Sequence, residues 1–131
     1  MELTGNTLER AGCCIHYWTG GNQAGPLVVF THGATIDHHE WDATLPLVGE
    51  KFRILTWDVR GHGLSRPGPF SLQEAEADLL AILDQLQVRQ AIFLGHSMGG
   101  NLHQEFVFHH PQRVQAMAFL DCTWNFQQLT R

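Results

Sequence analysis

The sequence predicts an α/β fold, a mostly parallel sheet with crossover helices. Three observations lead there: short, continuously apolar runs recur along the chain, helical patterns separate them, and Gly and Pro mark the boundaries. At 131 residues this is a single domain, 1–131. Residues 13–19 mix apolar and polar side chains and end at Gly20 and Gly21, the pattern of an outer, partly exposed strand. Leu27, Val28, Val29 and Phe30 form an unbroken apolar run, which suits a strand covered on both faces. Between 37 and 48, Trp41, Leu45 and Val48 recur at helical spacing. Asp37 and Glu40 stand three apart like a capping pair, so a helix is expected there, with Pro46 placed to end it early. Residues 52–57 read as the next strand, and Arg60 to Pro69 is too rich in Gly and Pro for regular structure. Ser71 and Glu74 form a capping box for the clearest helix, whose stripe of Leu72, Ala75, Leu79, Ile82, Leu83 and Leu86 faces the core. Residues 91–94 are a third buried strand, followed by a glycine-rich turn and a helix that stops at Pro111. Residues 114–120 are a fourth, which leaves Asp121 at a strand's carboxyl end, where open parallel sheets place their sites.

Composition narrows the function. Apolar residues make up 44% of the chain, enough for a core, and 8 basic against 13 acidic residues give a net charge of -5. Nucleic-acid binding needs clustered Lys and Arg, so no nucleic-acid partner is expected, and no polybasic membrane anchor either. No apolar run approaches the roughly 18 residues that span a bilayer, and the first ten residues lack the pattern of a secretion signal. A cytoplasmic location is therefore expected. Cys13, Cys14 and Cys122 are an odd count without metal spacing and are expected to be inert.

The chemistry concentrates at one turn. Gly95-His96-Ser97-Met98-Gly99 fits G-x-S-x-G with a strand before it and a helix after it. Gly95 and Gly99 permit a sharp bend that pushes the Ser97 hydroxyl to its tip. The helix N-terminus there offers backbone N–H groups to a developing oxyanion, Met98 N–H first. Thr31-His32-Gly33-Ala34 follows the first buried strand, where a second donor is expected from Ala34 N–H, with Gly33 letting the backbone approach a substrate.

These turns, taken with Asp58-Val59-Arg60-Gly61-His62-Gly63-Leu64-Ser65, stand in the order seen in the α/β-hydrolase fold superfamily, and the chain resembles its esterase, lactonase and haloperoxidase-like branch from about residue 13 to 121. The resemblance implies Ser97 as nucleophile, Met98 and Ala34 as oxyanion donors, His32, Gly33, Gly95 and Gly99 as supporting turns, and no cofactor. A serine at this position speaks against haloalkane dehalogenation, for which relatives use a carboxylate.

The remaining partners do not follow. In this fold the acid and then the histidine come after the serine, yet only Glu105 and Asp121 are carboxylates beyond Ser97, and the last ten residues hold no histidine. Asp121 is a minor candidate for the acid. His96 adjoins Ser97 on a bend where neighbouring side chains diverge, and His103, His109 and His110 run away along the helix. His38 and His39, beside Asp37 and Glu40, resemble metal ligands, but consecutive side chains are expected to point apart, so no metal site is expected. The chain therefore reads as an incomplete α/β-hydrolase fold ending after the sixth strand, the serine half of an enzyme that cleaves a carboxylic ester, thioester or lactone through an acyl-enzyme. The alternative is a non-catalytic fragment or binding module that keeps the fold. Strand 114–120 would then be an open apolar edge, expected to self-associate or to accept a complementing fragment.

Overall fold

Ala11 and Gly12, both at positive φ (45° and 78°), form the two-residue turn of a hairpin that pairs β1 (Leu3–Arg10) with β2 (Cys13–Gly21). This hairpin opens a six-stranded sheet in a computed structural model that describes residues 1–123. The strand order is β1-β2-β4-β3-β5-β6, with β3 (Leu27–Thr31), β4 (Arg53–Trp57), β5 (Ala91–His96) and β6 (Val114–Leu120) mutually parallel and β2 antiparallel to both of its neighbours. The predicted α/β class and parallel core hold.

Alternation along the strands divides the core into two layers. On one face Ile15, Val29, Leu55, Trp57 and Phe93 pack against α2 (Leu72–Gln85) and α3 (Met98–His109), through Ala75, Leu79, Ile82, Leu102 and Phe106. On the other, Val28, Phe30 and Ile54 meet Trp41 and Leu45, the latter from the short α1 (Leu45–Val48). Ser71 caps α2 by accepting Glu74 N–H at 3.0 Å, as the capping box predicts. The Glu74 carboxylate does not return to the cap and instead pairs with Arg10. Among the described residues no helix is long and apolar enough to cross a membrane.

Three expectations need correction. Residues 13–19 are not an outer strand: β1 takes the edge, and Cys13, Ile15 and Tyr17 are buried beneath it. The expected helix over 37–48 is broken into a 3-10 turn (His38–Trp41) and α1, with Pro46 in the first turn of α1. Asp37 caps the 3-10 turn by accepting His39 N–H at 2.9 Å, while Glu40 is drawn away by tertiary contacts described below. Finally, residues 114–120 are not a buried strand. β6 pairs only with β5, and Ala116, Ala118 and Leu120 are exposed on an edge no other described strand covers.

Candidate active site

The connection β3 to β4 runs one way across the sheet and β5 to β6 the other, so the carboxyl ends of β3 and β5 flank the crevice that this reversal opens. Ser97 stands at that point. It follows β5, precedes α3, is half-buried, and holds φ 53° and ψ -116°, a strained conformation for a residue with a side chain. Two fixtures hold the strain. Ser97 N–H donates to Leu120 O at 2.9 Å, tying the bend to the end of β6, and the flanking glycines let the helix close on the strands. A Cβ on Gly95 would lie 2.7 Å from Gly100 N, and one on Gly99 would collide with the carbonyl oxygens of Thr31 and His32. Gly99→Ala is therefore expected to lower folding stability by about 3 kcal/mol. An unchanged urea midpoint would mean that α3 does not depend on this close approach.

The loop after β3 reaches the same point. A Cβ on Gly33 would lie 2.9 Å from His96 Nδ1 and 3.4 Å from the Ser97 Cβ, so the two turns are in contact. Ala34 is exposed, and Thr35 at φ 66° bends the chain just beyond it. Ala34 and Met98 line one cleft of about 420 Å³, with Ile36, Phe70, His62 and Arg66 among its other walls. Neither the Ala34 nor the Met98 amide donates to an acceptor among the described residues, and no side chain among them hydrogen-bonds the Ser97 hydroxyl.

His32 is a strut between loops. Its Nδ1 lies 2.7 Å from Gly33 O and its Nε2 accepts Val59 N–H at 3.0 Å, which places the proton on Nδ1. Burial pushes its pKa below the ordinary imidazole value, against the hydrogen bond to Gly33, and so favours that neutral form. Asp58, fully buried, ties the loops on either side: it accepts His38 N–H at 2.8 Å and Leu64 N–H at 2.9 Å.

Two residues near the bend have roles that sequence reasoning missed. Glu40 Oε1 accepts Gly33 N–H at 3.0 Å, and its Oε2 lies 2.8 Å from His96 Nδ1, at ion-pair distance though off the line of a hydrogen bond. This pair joins the Gly33 loop to the Ser97 bend and engages His96 away from the serine. Asp121, the minor acid candidate, follows β6 at φ 48° and is exposed, one residue beyond the carbonyl that holds Ser97 N–H. The histidines on α3 are occupied elsewhere: His103 is buried against Thr31, and His109 Nδ1 lies 2.6 Å from Glu76. His38 and His39 do not point apart as expected; their rings lie 4.1 Å apart. Cys13, Cys14 and Cys122 are free thiols, and burial pushes the Cys13 thiol up, away from the reactive thiolate.

A family model described as alpha/beta hydrolase fold matches residues 26–130. The chain belongs to the alpha/beta hydrolase family. It is 32% identical over 110 residues to 3-oxoadipate enol-lactonase 2 of Acinetobacter baylyi, covering 82% of this chain and 41% of that protein. It is also 32% identical over 122 residues to bifunctional epoxide hydrolase 2 of Sus scrofa, covering 89% of this chain and 22% of that one. Among solved structures, a hydrolase from Pseudomonas aeruginosa superposes with TM-score 0.81 at 38% identity, over 86% of this chain and 44% of the other. An N-acyl homoserine lactone degrading enzyme superposes at 0.84 and 30% identity, over 89% and 45%. This alpha/beta hydrolase chain thus spans less than half the length of each relative.

Proposed function

We propose that this chain carries the nucleophile half of a serine hydrolase acting on a carboxylic ester, thioester or lactone. The observation that carries the reading is the strained Ser97 bend, held against the Gly33 loop so that Met98 and Ala34 flank one cleft. In this reading Ser97 Oγ attacks the carbonyl carbon, its proton passes to an imidazole base, and the carbonyl oxygen gains negative charge between Met98 N–H and Ala34 N–H. Collapse expels the alkoxide or thiolate, which takes the proton from the imidazolium, and water then cleaves the acyl-serine. A serine hydroxyl at this bend suits a carbonyl electrophile, because its addition gives a tetrahedral oxyanion that the Met98 and Ala34 amides are placed to hold in the same cleft. That favours the lactone chemistry named for two of the relatives over the epoxide chemistry named for the third.

The base is the part the described residues do not place beside Ser97: His96 faces Glu40 and His103 faces Thr31. We propose that it comes from polypeptide that pairs with the open edge of β6, as a continuation, a complementing fragment or a second copy. No metal or organic cofactor enters the scheme.

The test is acylation by a nitrophenyl ester with imidazole in the buffer as a surrogate base. Above the release caused by the imidazole buffer alone, the 131-residue chain is expected to release about one equivalent of nitrophenol and to gain one acyl group on Ser97 by intact mass, and Ser97→Ala to do neither. Equal release from both would remove the catalytic reading and leave a binding module with this fold.

A further inference from the structure

The 3-10 turn beyond the Ala34 loop brings together two imidazoles that a strand would separate. Asp37 is extended, at φ -146°, and caps the turn through His39 N–H. The His38 and His39 rings then lie with centroids 4.1 Å apart and planes at 35°. The Trp18 indole packs on His38, with centroids 3.7 Å apart, which fixes that ring. One ligand atom from each of Asp37, His38 and His39 lies within 4.8 Å of the other two.

Each imidazole is also oriented by a carboxylate of its own. His38 Nδ1 is 2.8 Å from Asp58 Oδ1, and His39 Nδ1 is 2.8 Å from Asp42 Oδ2. A carboxylate that holds Nδ1–H leaves the lone pair on Nε2 and raises its basicity, the arrangement that metal-ligating histidines use.

We propose that Asp37, His38 and His39 bind a divalent transition cation of the zinc, nickel and copper class, with water completing its coordination. Two imidazoles and one carboxylate suit these borderline ions, whereas magnesium and calcium take all-oxygen shells. The carboxylates of Asp37, Asp42 and Asp58 around the two rings make the local charge favourable to a cation. His39 is two-thirds exposed and can swing toward the fixed His38 to close the coordination angle. Asp37 also lines the cleft shared by Ala34 and Met98, so the cation would stand at the cleft's rim. The site does not depend on Ser97 acting as a nucleophile.

Zinc chloride titrated into the full chain, by calorimetry and by imidazole resonances in NMR, tests the assignment. One zinc per chain is expected, with the His38 and His39 resonances moving together and no response to magnesium or calcium. His39→Ala, at an exposed position, should weaken binding by about 100-fold and Asp42→Asn by about tenfold, while His109→Ala leaves it unchanged. Zinc binding that survives His39→Ala undiminished, zinc taken at His109 instead, or no binding at all would each overturn the proposal.

Discussion

Asp78→Ala is expected to remove about 3–5 kcal/mol of folding stability, the cost of stranding a buried charge partner. Asp78 lies on α2 with its side chain wholly buried and receives two arginines. Arg60 grips it with two bonds of 2.9 Å, from Nε to Oδ2 and from a terminal nitrogen to Oδ1, and Arg10 Nε adds a third at 2.6 Å. The same Arg60 donates to the carbonyls of Arg10 and Ala11 in the β1–β2 turn. One carboxylate thus locks the hairpin, α2 and the loop after β4, and that loop contributes Gly61, His62 and Gly63 to the cleft. Removing it leaves the Arg60 guanidinium buried without its counter-charge, a loss comparable to a large share of a domain's net stability. Glu74→Ala, which removes the exposed partner of Arg10, should cost less than about 1 kcal/mol. Urea unfolding followed by tryptophan fluorescence separates the two variants. A cost below about 1 kcal/mol for Asp78→Ala would mean the cluster is mere solvated pairing.

That cluster also shows where sequence reasoning stops. The stripe of α2 was legible because Ala75, Leu79, Ile82 and Leu83 repeat at helical spacing, but Asp78 in the same helix reads as solvent-facing until Arg60 is known to stand opposite. The Ser97 bend was legible because its glycines and its place between strand and helix are local features. Glu40 was not: three residues after Asp37 it mimics a cap, and only the fold brings Gly33 N–H and His96 to it. β1 escaped notice because it lies at the sheet edge with only Leu3, Leu8 and Arg10 partly covered, so no alternation marks it; Ala11-Gly12 before Cys13 was the one local hint of a hairpin. β6 misled in the opposite sense. Its run from Ala116 to Leu120 is as apolar as a central strand's, yet among the described residues no strand pairs with it beyond β5. The pattern of a strand records what its faces can tolerate, and its neighbours are decided by topology.

Acid should begin to destabilise the chain through His103 before the usual carboxylate range is reached. This ring lies on α3, wholly buried, with Phe93 edge-on to it at 5.1 Å. Trp57 Nε1–H donates to Thr31 Oγ1 at 2.8 Å, so the Thr31 hydroxyl hydrogen is free to point at His103 Nε2, 2.7 Å away, which makes that nitrogen an acceptor in a neutral ring. Burial pushes the His103 pKa down to about 3. In the unfolded chain the same imidazole titrates near about 6.5, so between these values the unfolded state holds a proton that the native state does not. Its contribution is therefore fully present above about pH 6.5 and drains away as pH falls toward 3, amounting to a loss of about 3 kcal/mol by about pH 4. His103→Gln offers Thr31 an acceptor that does not titrate, so its stability should change less over this interval, by that same amount, whatever the carboxylates contribute to both proteins. Because Thr31 is the last residue of β3 and leads into the Gly33 loop, charging His103 would loosen the strand end that faces Ser97 as the fold opens. Parallel urea midpoints for the wild-type chain and His103→Gln from pH 7 to 4 would show that this ring is already reached by solvent protons in the native state, and the buried relay from Trp57 through Thr31 would have to be given up.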